Sequence, residues 1–372
     1  MNVSPAYVLE ERKLLKNLEL LDRVQKESGA KILVALKGYA LWESFKLIGE
    51  YLCGAAASGL YEAKLAREEM NKEVHTFCPA ITDETIEEIA ALSDHLIFNS
   101  FNHLAMFETK AKNVNPKLQI GVRINPKYSE VKPDIYNPCV ANSRLGVTPE
   151  NFDESYLDKL DGLHFHTHCE QNSDALERTL ERFEARFGKY LSRMKWVNMG
   201  GGHHITKEGY DVQKLIDLVK RFSDRYATQV YLEPGEAIGW QTGYLQCSVA
   251  DIVENGMQIA ILDVSAAAHM PDCLEAPYRP DVRDAAIPNE KKYTYRLGGS
   301  TCLAGDVIGD YSFDRELKIG DRIIFEDMIH YTMVKTNMFN GAALPSIVKI
   351  DLNGATQIVK RFGYEDYKNR LS

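Results

Sequence analysis

The segment KILVALK at residues 31–37 combines branched apolar side chains with a closing lysine, and it is the first of eight short apolar runs. Longer segments of helical periodicity separate these runs from about residue 11 to residue 236, which is typical of a parallel α/β fold. Eight strands with helices between them predict a (β/α)8 TIM barrel. The other runs are LCGAAAS (52–58), VHTFCP (74–79), HLIFNS (95–100), LQIGVRINP (118–126), GLHFHT (162–167), WVNMGGG (196–202) and QVYLEPGE (229–236).

Four segments between the runs place apolar residues three or four positions apart with charges between them, as amphipathic helices do. One connection breaks this rhythm, because residues 127–148 are rich in Pro and Asn and too long for a plain βα loop. We expect that connection to form an active-site flap. The helical segments are LYEAKLAREEMN (60–71), ETIEEIAALS (84–93), DALERTLERFEARFGKYL (174–191) and VQKLIDLVKRFSDRYA (212–227).

Helical periodicity ends near residue 237, and the short alternating runs that follow predict a second, all-β domain with a barrel-like sheet. One more strand-like run, Tyr7–Leu9, precedes the first helix and could pair with this sheet. The predicted domains are residues 11–236, and residues 1–10 together with 237–372. The C-terminal runs are GYLQCSVADIV (243–253), MQIAILDVS (257–265), YTYRLGG (293–299), RIIFED (322–327), SIVKIDL (346–352) and TQIVK (356–360).

The composition is that of a folded globular protein. The chain has 372 residues, of which 45% are hydrophobic and 26% charged, so neither disorder nor a fibrous repeat is expected. Its formal net charge is −9. Because an acidic surface repels phosphate backbones and anionic lipid, we expect no nucleic-acid or membrane partner.

The cysteines indicate a reducing compartment. All 7 are scattered singly without a CxxC pair, which argues against a disulfide framework or a structural zinc site. The first residues contain no apolar signal core, and no run approaches the ~20 apolar residues that a membrane helix needs. We therefore expect a cytoplasmic protein.

Two charged residues end buried runs, where a barrel carries its reactive groups. Lys37 ends the first run, where an apolar wall would lower the pKa of the amine and favour the nucleophilic free base. A surface lysine at a strand end is the alternative. Glu233 ends the eighth run, and a buried carboxylate needs a partner. A protonated pyridine nitrogen would serve, and so would an arginine.

The sixth and seventh runs end in glycines and histidines. The glycines 200–202 would let backbone N–H groups approach a phosphate, although a plain tight turn fits equally well. His164, His166 and His168 would lie on one face of a strand. Such a face binds zinc in some barrel hydrolases, but the later runs do not supply the further ligands that those sites use.

The C-terminal half contains one small-residue loop, GGSTCLAGD (298–306), with a single thiol and a single carboxylate. A lone loop cysteine is more often inert than catalytic. By themselves this loop and the segment EDMIHY (326–331) indicate no function.

In this order, six segments together resemble the alanine-racemase-like, fold type III decarboxylases that depend on pyridoxal 5′-phosphate (PLP). The resemblance covers essentially the whole chain and is nearest to the carboxynorspermidine subgroup. The segments are ALKGYALW (35–42), HFHTHCEQ (164–171), NMGGGHHIT (198–206), LEPGEAIGW (232–240), HMPDCLEAPYRP (269–280) and GGSTCLAGD (298–306).

The resemblance implies roles in cofactor binding. Lys37 would bind PLP covalently, His166 would stack on the pyridine ring, and Glu233 would pair with the ring nitrogen, so that the ring acts as an electron sink. Gly201 and Gly202 would hold the phosphate. The Tyr331 hydroxyl would add a hydrogen bond to it.

The resemblance also implies a homodimer with shared active sites. Cys302 would come from the second subunit and reprotonate Cα after carbon dioxide leaves. Asp306 would approach the substrate or cofactor from the same loop.

Three positions depart from the ornithine-type pattern. Glu236 replaces an arginine that grips the phosphate, so we count it among the substrate-binding candidates. Leu303 replaces the acid after the cysteine, and Cys169 replaces a serine. The last two changes argue against ornithine as the substrate, and the first fits the carboxynorspermidine subgroup.

The predicted function is decarboxylation of carboxynorspermidine or carboxyspermidine to norspermidine or spermidine. Such substrates carry several ammonium groups, for which Asp272 and Glu275 are candidate partners, with solvated turn acids as the alternative. A decarboxylase for diaminopimelate or another basic amino acid, a metal-dependent barrel hydrolase using His164, His166 and His168, and a PLP-binding protein without turnover are the competing hypotheses.

Overall fold

A computed structural model describes residues 3–372, which form two compact units. One unit is Lys16–Ile238, and the other combines the N-terminal residues up to Leu15 with Gly239–Ser372. The domain boundaries expected from the sequence, after residues 10 and 236, stay a prediction.

The unit Lys16–Ile238 contains a closed barrel of eight parallel strands, which confirms the predicted (β/α)8 architecture. The first strand of the chain, β1 (Ala6–Glu10), belongs to the other unit. Each predicted apolar run supplies one barrel strand. The barrel strands are β2 (Lys31–Ala35), β3 (Gly54–Ala57), β4 (Glu73–Phe77), β5 (His95–Phe98), β6 (Gln119–Arg123), β7 (Gly162–His164), β8 (Trp196–Asn198) and β9 (Gln229–Leu232).

Helices occupy most of the connections, and all four predicted helical segments contain one. Between β6 and β7 the described residues form only short 3₁₀ turns, so the long connection takes the place of a helix there. Its role as a flap stays a prediction. The helices are α1 (Glu11–Ser28), α2 (Phe45–Tyr51), α3 (Leu60–Leu65), α4 (Ile86–Leu92), α5 (Phe101–Val114), α6 (Ser173–Leu191), α7 (Val212–Tyr226) and α8 (Glu236–Gly239).

A tryptophan fills much of the barrel interior. Trp196 is fully buried, and glycines on the two preceding strands make room for its indole. A Cβ atom on Gly121 would lie 2.3 Å from the ring and one on Gly162 only 2.1 Å from it. The other buried members of this core are Leu33, Ala35, Ala56, Ile97 and Tyr231.

The other unit is built on an eight-stranded mixed sheet, in which β1 pairs with β10 and β15. This pairing confirms the expectation for Tyr7–Leu9. In the strand order β13-β12-β11-β10-β1-β15-β16, β14 joins the side of β10. The strands are β10 (Gly243–Glu254), β11 (Gln258–Leu262), β12 (Tyr293–Gly298), β13 (Val307–Phe313), β14 (Arg322–Glu326), β15 (Ser346–Ile350) and β16 (Thr356–Lys360).

The sequence analysis missed β13 and four short helices in this unit. Gly309 and Asp310 interrupt the apolar alternation of β13, but Asp310 pairs with Arg296 directly across on β12. Helices of four or five residues are too short to show a helical period. They are α9 (Ala266–His269), α10 (Asp272–Glu275), α11 (Tyr331–Val334) and α12 (Tyr364–Lys368).

The space around Trp196 gives a stability prediction. Gly162→Ala should lower the free energy of unfolding by about 3 kcal/mol, because the new methyl group overpacks a core without free volume. Gly59→Ala is the control, since a Cβ there meets nothing within 4 Å, and it should change stability by less than about 0.5 kcal/mol. Urea unfolding measures both, and equal midpoints would contradict the prediction.

Candidate active site

Closure of the parallel barrel brings the carboxyl ends of its strands to one end of the unit. Lys37 follows β2 by two residues, Arg123 and His164 end β6 and β7, and Glu233 follows β9 directly. Predicted Lys37 and Glu233 therefore lie at the same end of the barrel. The electrostatic influence of Glu233 on the Lys37 amine supports this proximity.

Lys37 faces an imidazole. Its Nζ lies 3.4 Å from His166 Nε2, and the Gly201 N–H donates to His166 Nδ1 at 2.9 Å. Because Nδ1 accepts a hydrogen bond, a neutral ring carries its proton on Nε2 and points it at the lysine nitrogen. Burial, followed by the charges of Lys37 and Arg123, holds the pKa of His166 well below its usual range.

The same surroundings favour a neutral Lys37 amine. Its side chain is accessible to solvent, although the barrel wall crowds it. This partial desolvation and, next, the positive charge of Arg123 lower the Lys37 pKa, and Glu233 offsets only part of the effect. A lowered pKa increases the fraction of nucleophilic amine at neutral pH.

Glu233 is held as a carboxylate by two side-chain donors. His164 Nε2 lies 3.1 Å from Oε2, and Asn198 Nδ2 donates to Oε1 at 2.7 Å. Burial alone would raise the Glu233 pKa, but His164, His75 and Asn198 together outweigh it and lower the pKa to about 2. Burial lowers the pKa of His164, and the neighbouring Glu233 carboxylate offsets part of this effect.

The sequence analysis missed Arg123. Its guanidinium lies 4.7 Å from the centroid of the Phe77 ring and donates from Nη2 to the His166 carbonyl at 3.4 Å. Burial lowers the pKa of Arg123 to about 10, so it remains a cation at neutral pH. Arg123 ends β6 but lies inside the run LQIGVRINP, so a search for charged residues at the ends of runs did not select it.

The glycines after β8 are required by close backbone approaches. A Cβ on Gly201 would lie 2.2 Å from the Glu233 carbonyl oxygen, and one on Gly202, with φ +82°, would lie 2.0 Å from the His168 carbonyl oxygen. The Gly201 N–H already donates to the His166 ring, so this donor has a partner within the barrel. Phosphate binding by Gly201 and Gly202 stays a prediction.

The expectation that three imidazoles share one strand face is wrong. β7 ends at His164, so strand alternation does not continue through the next four residues. His164 contacts Glu233, His166 contacts Lys37 and Gly201, and His168 Nδ1 contacts Gln171 Oε1 at 2.8 Å. Each ring has a different partner.

Cys302 and Asp306 lie in the unit that contains Gly239–Ser372. Cys302 is exposed, and its backbone N–H donates to Asn340 Oδ1 at 2.8 Å. Asp306 is buried, and its carboxylate accepts from the backbone of Ala266 at 2.7 Å and from the Thr301 hydroxyl at 2.6 Å. Asp306 therefore holds the shape of the loop that presents Cys302.

The two predicted substrate acids differ in their surroundings. Asp272 is buried, and its Oδ2 accepts from the Tyr278 and Thr332 hydroxyls at 2.8 and 2.7 Å, whereas Oδ1 has no hydrogen-bond partner among the described residues. Glu275 is exposed and forms an ion pair with Lys335. Substrate binding by Asp272 and Glu275 stays a prediction.

Two further predicted residues begin short helices. Tyr331 is the first residue of α11 and is half-buried. Glu236 is the first residue of α8, and its Oε1 lies 3.9 Å from His204 Nε2. Their roles toward the phosphate and the substrate stay predictions.

A family model described as "Pyridoxal-dependent decarboxylase, C-terminal sheet domain" matches residues 7–329. The chain belongs to the pyridoxal-dependent decarboxylases. This finding confirms the family resemblance, the PLP cofactor and the enzyme class. Membership of this enzyme family decides against the two competing hypotheses, a metal-dependent hydrolase and a PLP-binding protein without turnover.

Two curated relatives cover nearly the whole decarboxylase. A carboxynorspermidine/carboxyspermidine decarboxylase of Campylobacter jejuni is 52% identical over 99% of this chain and 98% of its own. A carboxyaminopropylagmatine decarboxylase of Synechocystis is 46% identical over 99% and 95%. A crystal structure of carboxynorspermidine decarboxylase from Campylobacter jejuni, complexed with norspermidine, has a TM-score of 0.93 at 50% identity and covers 99% of both chains.

The groups at the barrel end fit PLP. Covalent attachment of an aldehyde needs a free amine, and a protonated pyridine nitrogen needs an anionic acceptor. Lys37 is accessible, His166 is half-buried, and the Glu233 side chain keeps 13% exposure, so all three groups line a space that solvent reaches. Lys37, His166 and Glu233 would hold the cofactor there.

Two findings bear on the surroundings of the decarboxylase. Its seven cysteines, all within the described residues, are free thiols. None of the described helices is both long and apolar enough to cross a membrane.

The charge of Arg123 gives a prediction about cofactor attachment. Arg123→Gln should raise the Lys37 pKa, because it removes the cation that, after burial, lowers this pKa most. Covalent rebinding of PLP by cofactor-stripped enzyme should then slow about tenfold per pKa unit at neutral pH. The pH–rate curve, followed by visible absorbance, should shift to higher pH. Arg123→Lys retains the charge and should preserve the wild-type curve, and a curve unchanged in the Gln variant would contradict the mechanism.

Proposed function

We propose that this decarboxylase converts carboxynorspermidine or carboxyspermidine to norspermidine or spermidine. The observation that carries the proposal is the 52% identity, over 99% of the chain, to the Campylobacter jejuni enzyme of that activity. A buried Asp272 with one free carboxylate oxygen supports it, because a polyamine substrate needs anionic partners.

Carboxyaminopropylagmatine is the second candidate substrate. The 46% identical Synechocystis relative acts on it, and that relative also covers nearly the full chain. A guanidinium end group forms bidentate contacts with a carboxylate, whereas an ammonium group acts as a point charge. A substrate with a guanidinium end and one with an ammonium end would therefore contact the acidic side chains of the substrate site differently.

The residues around Lys37 prepare the site for cofactor chemistry. When bound, PLP supplies an electron sink for the bond that releases carbon dioxide. Partial desolvation and the charge of Arg123 lower the Lys37 pKa, which increases the fraction of nucleophilic amine. His166 directs its Nε2 proton at that amine. Glu233 presents an ionised acceptor that His164 and Asn198 keep in one orientation.

For the phosphate of the cofactor, we propose contacts from the Gly202 N–H and the Tyr331 hydroxyl, with Gly201 fixing His166. Glu236 stands where related enzymes carry an arginine. An acid at that position repels phosphate, so we assign it to the cationic substrate.

Cys302 is the proposed proton donor to Cα, supplied by the second subunit of a homodimer. Its exposure leaves the thiol available to another chain, and the neighbouring Leu303 is a large apolar residue that is 44% exposed. Asp306 supports this role by holding the loop. The proposed location is the cytoplasm, where the free thiols remain reduced.

A substrate panel tests the activity. Carbon dioxide release should be fastest with carboxynorspermidine or carboxyspermidine and much slower with diaminopimelate. Asp272→Asn should lower kcat/KM for the preferred triamine about 30-fold, as expected when a buried charge loses its partner. Glu275→Gln is the matched control on the same short helix, and loss of its exposed charge should cost less than about twofold.

Preference for carboxyaminopropylagmatine would assign the second candidate function. Strong turnover of diaminopimelate would defeat both. Retained visible absorbance and an unchanged melting temperature in Asp272→Asn would show that the loss concerns the substrate.

Mixing two inactive variants tests the shared active site. Lys37→Ala and Cys302→Ala should each abolish most turnover. After subunit exchange the mixture should recover about a quarter of wild-type activity, because half of the dimers then contain one intact site of two. A mixture as inactive as its components would show that Lys37 and Cys302 act within one chain, or that Cys302 is not the donor.

A further inference from the structure

One buried amide contacts three parts of the candidate active site. Asn198 is the last residue of β8 and is fully buried. Its Nδ2 donates to Glu233 Oε1 at 2.7 Å, and its Oδ1 accepts from the Gly200 N–H at 2.8 Å. Its backbone carbonyl accepts from the Phe165 N–H at 2.9 Å. Asn198 therefore connects Glu233, the glycine turn and the backbone that precedes His166.

These contacts leave the Asn198 amide only one orientation. A backbone N–H can only donate, so the Gly200 N–H requires the amide oxygen. The amide NH2 group must then face Glu233, whose ionised carboxylate can only accept. Because an amide does not titrate, the side chain supplies one donor and one acceptor in fixed directions at every pH.

The turn that Asn198 holds also positions His166. Gly200 has φ +69°, and its carbonyl accepts from the Glu233 N–H at 2.7 Å. The Gly201 N–H donates to His166 Nδ1 at 2.9 Å, and His166 Nε2 lies 3.4 Å from Lys37 Nζ. A shift of the turn would therefore move His166 and Glu233 together.

The Glu233 carboxylate retains free acceptor positions. A carboxylate has about four of them, and Glu233 uses one on each oxygen, for Asn198 and His164. Its side chain keeps 13% exposure. A further N–H donor, such as a protonated pyridine nitrogen, can therefore use a remaining position.

We propose that Asn198 is a positioning residue, whose amide holds Glu233 and His166 in one fixed relation for cofactor binding. Its role is to orient these two side chains, without contact to PLP. The inference rests on the proposed cofactor contacts of Glu233 and His166, and it does not depend on which substrate the enzyme uses.

The isosteric variant Asn198→Asp tests the amide. One oxygen of the new carboxyl group can still accept from Gly200, but the other replaces the donor to Glu233. Two ionised carboxylates that meet at the 2.7 Å of the present contact repel each other, so the pair should hold a proton. While protonated, the new carboxyl group donates to Glu233 as the amide does.

The affinity of the Asn198→Asp enzyme for PLP should therefore depend on pH. Relative to the wild type at the same pH, it should be within about twofold near pH 6 and at least about tenfold weaker near pH 8.5, where the shared proton is lost. Titration of cofactor-stripped enzyme with PLP, followed by visible absorbance, measures the affinity without turnover. An equal loss at both pH values would show a purely structural role and would overturn the proposal.

Asn115→Asp is the matched control. Asn115 is half-buried, and its Oδ1 also accepts from an N–H two residues on, that of Lys117 at 3.1 Å. Its Nδ2 donates to the carbonyls of Ala90 and Ser93, so no carboxylate faces it. Its PLP affinity relative to the wild type should be the same at both pH values.

Asn198→Ser covers the case in which the aspartate variant does not fold. A serine hydroxyl can still accept from the Gly200 N–H but is too short to reach Glu233. PLP affinity should then fall about tenfold at both pH values, as expected for the loss of a hydrogen bond to a charged group. Wild-type affinity in this variant would contradict the proposal.

Glu233→Gln separates this inference from the proposed cofactor contacts. The variant removes the anion and should weaken PLP binding at every pH. Unchanged affinity would defeat the proposed contact of Glu233, and the role of Asn198 with it. Weakened binding in Glu233→Gln, together with wild-type affinity of Asn198→Asp at both pH values, would overturn the role of Asn198 alone.

Discussion

The carboxylate of Glu233 is the interaction on which the catalytic end of the barrel depends. It is buried at the end of β9, and two side-chain donors at the ends of β7 and β8, His164 and Asn198, help to keep it ionised. A buried anion needs such donors or a cation, because unpaired burial costs several kcal/mol. The site therefore contains a negative charge, which is the kind of partner that a protonated pyridine nitrogen would need.

Positive charge balances this anion across the site. Arg123 stays protonated and lowers the pKa of Lys37, while Glu233 acts in the opposite direction. Removing any one of these groups changes the protonation of another. Cofactor attachment and ring protonation are thus coupled through one set of charges.

Trp196 packs beside polar groups at the amino end of the barrel. Its indole occupies space cleared by Gly121 and Gly162, and it packs against His95 with ring centroids 4.7 Å apart. Glu73, His75 and His95 lie on β4 and β5 beside it, whereas the groups around Lys37 lie at the carboxyl ends of the strands.

The sequence alone determined the barrel and most of its catalytic end. The strands can be recognised in the sequence because buried parallel strands are continuously apolar. A charged residue that ends such a run stands out, as Lys37 and Glu233 do. The same reasoning missed Arg123, because the run LQIGVRINP continues for three residues beyond it. It failed for β13, where Gly309 and Asp310 hide the alternation, and for helices of four or five residues in the same unit.

Tertiary structure decided which polar groups share a partner. His164, His166 and His168 look equivalent in sequence, but the end of β7 gives each ring a different neighbour. His75 and His95 lie on separate runs, and only the register of β4 and β5 stacks them. Local patterns record burial and periodicity, whereas hydrogen-bond partners depend on which strands pair and where each one stops.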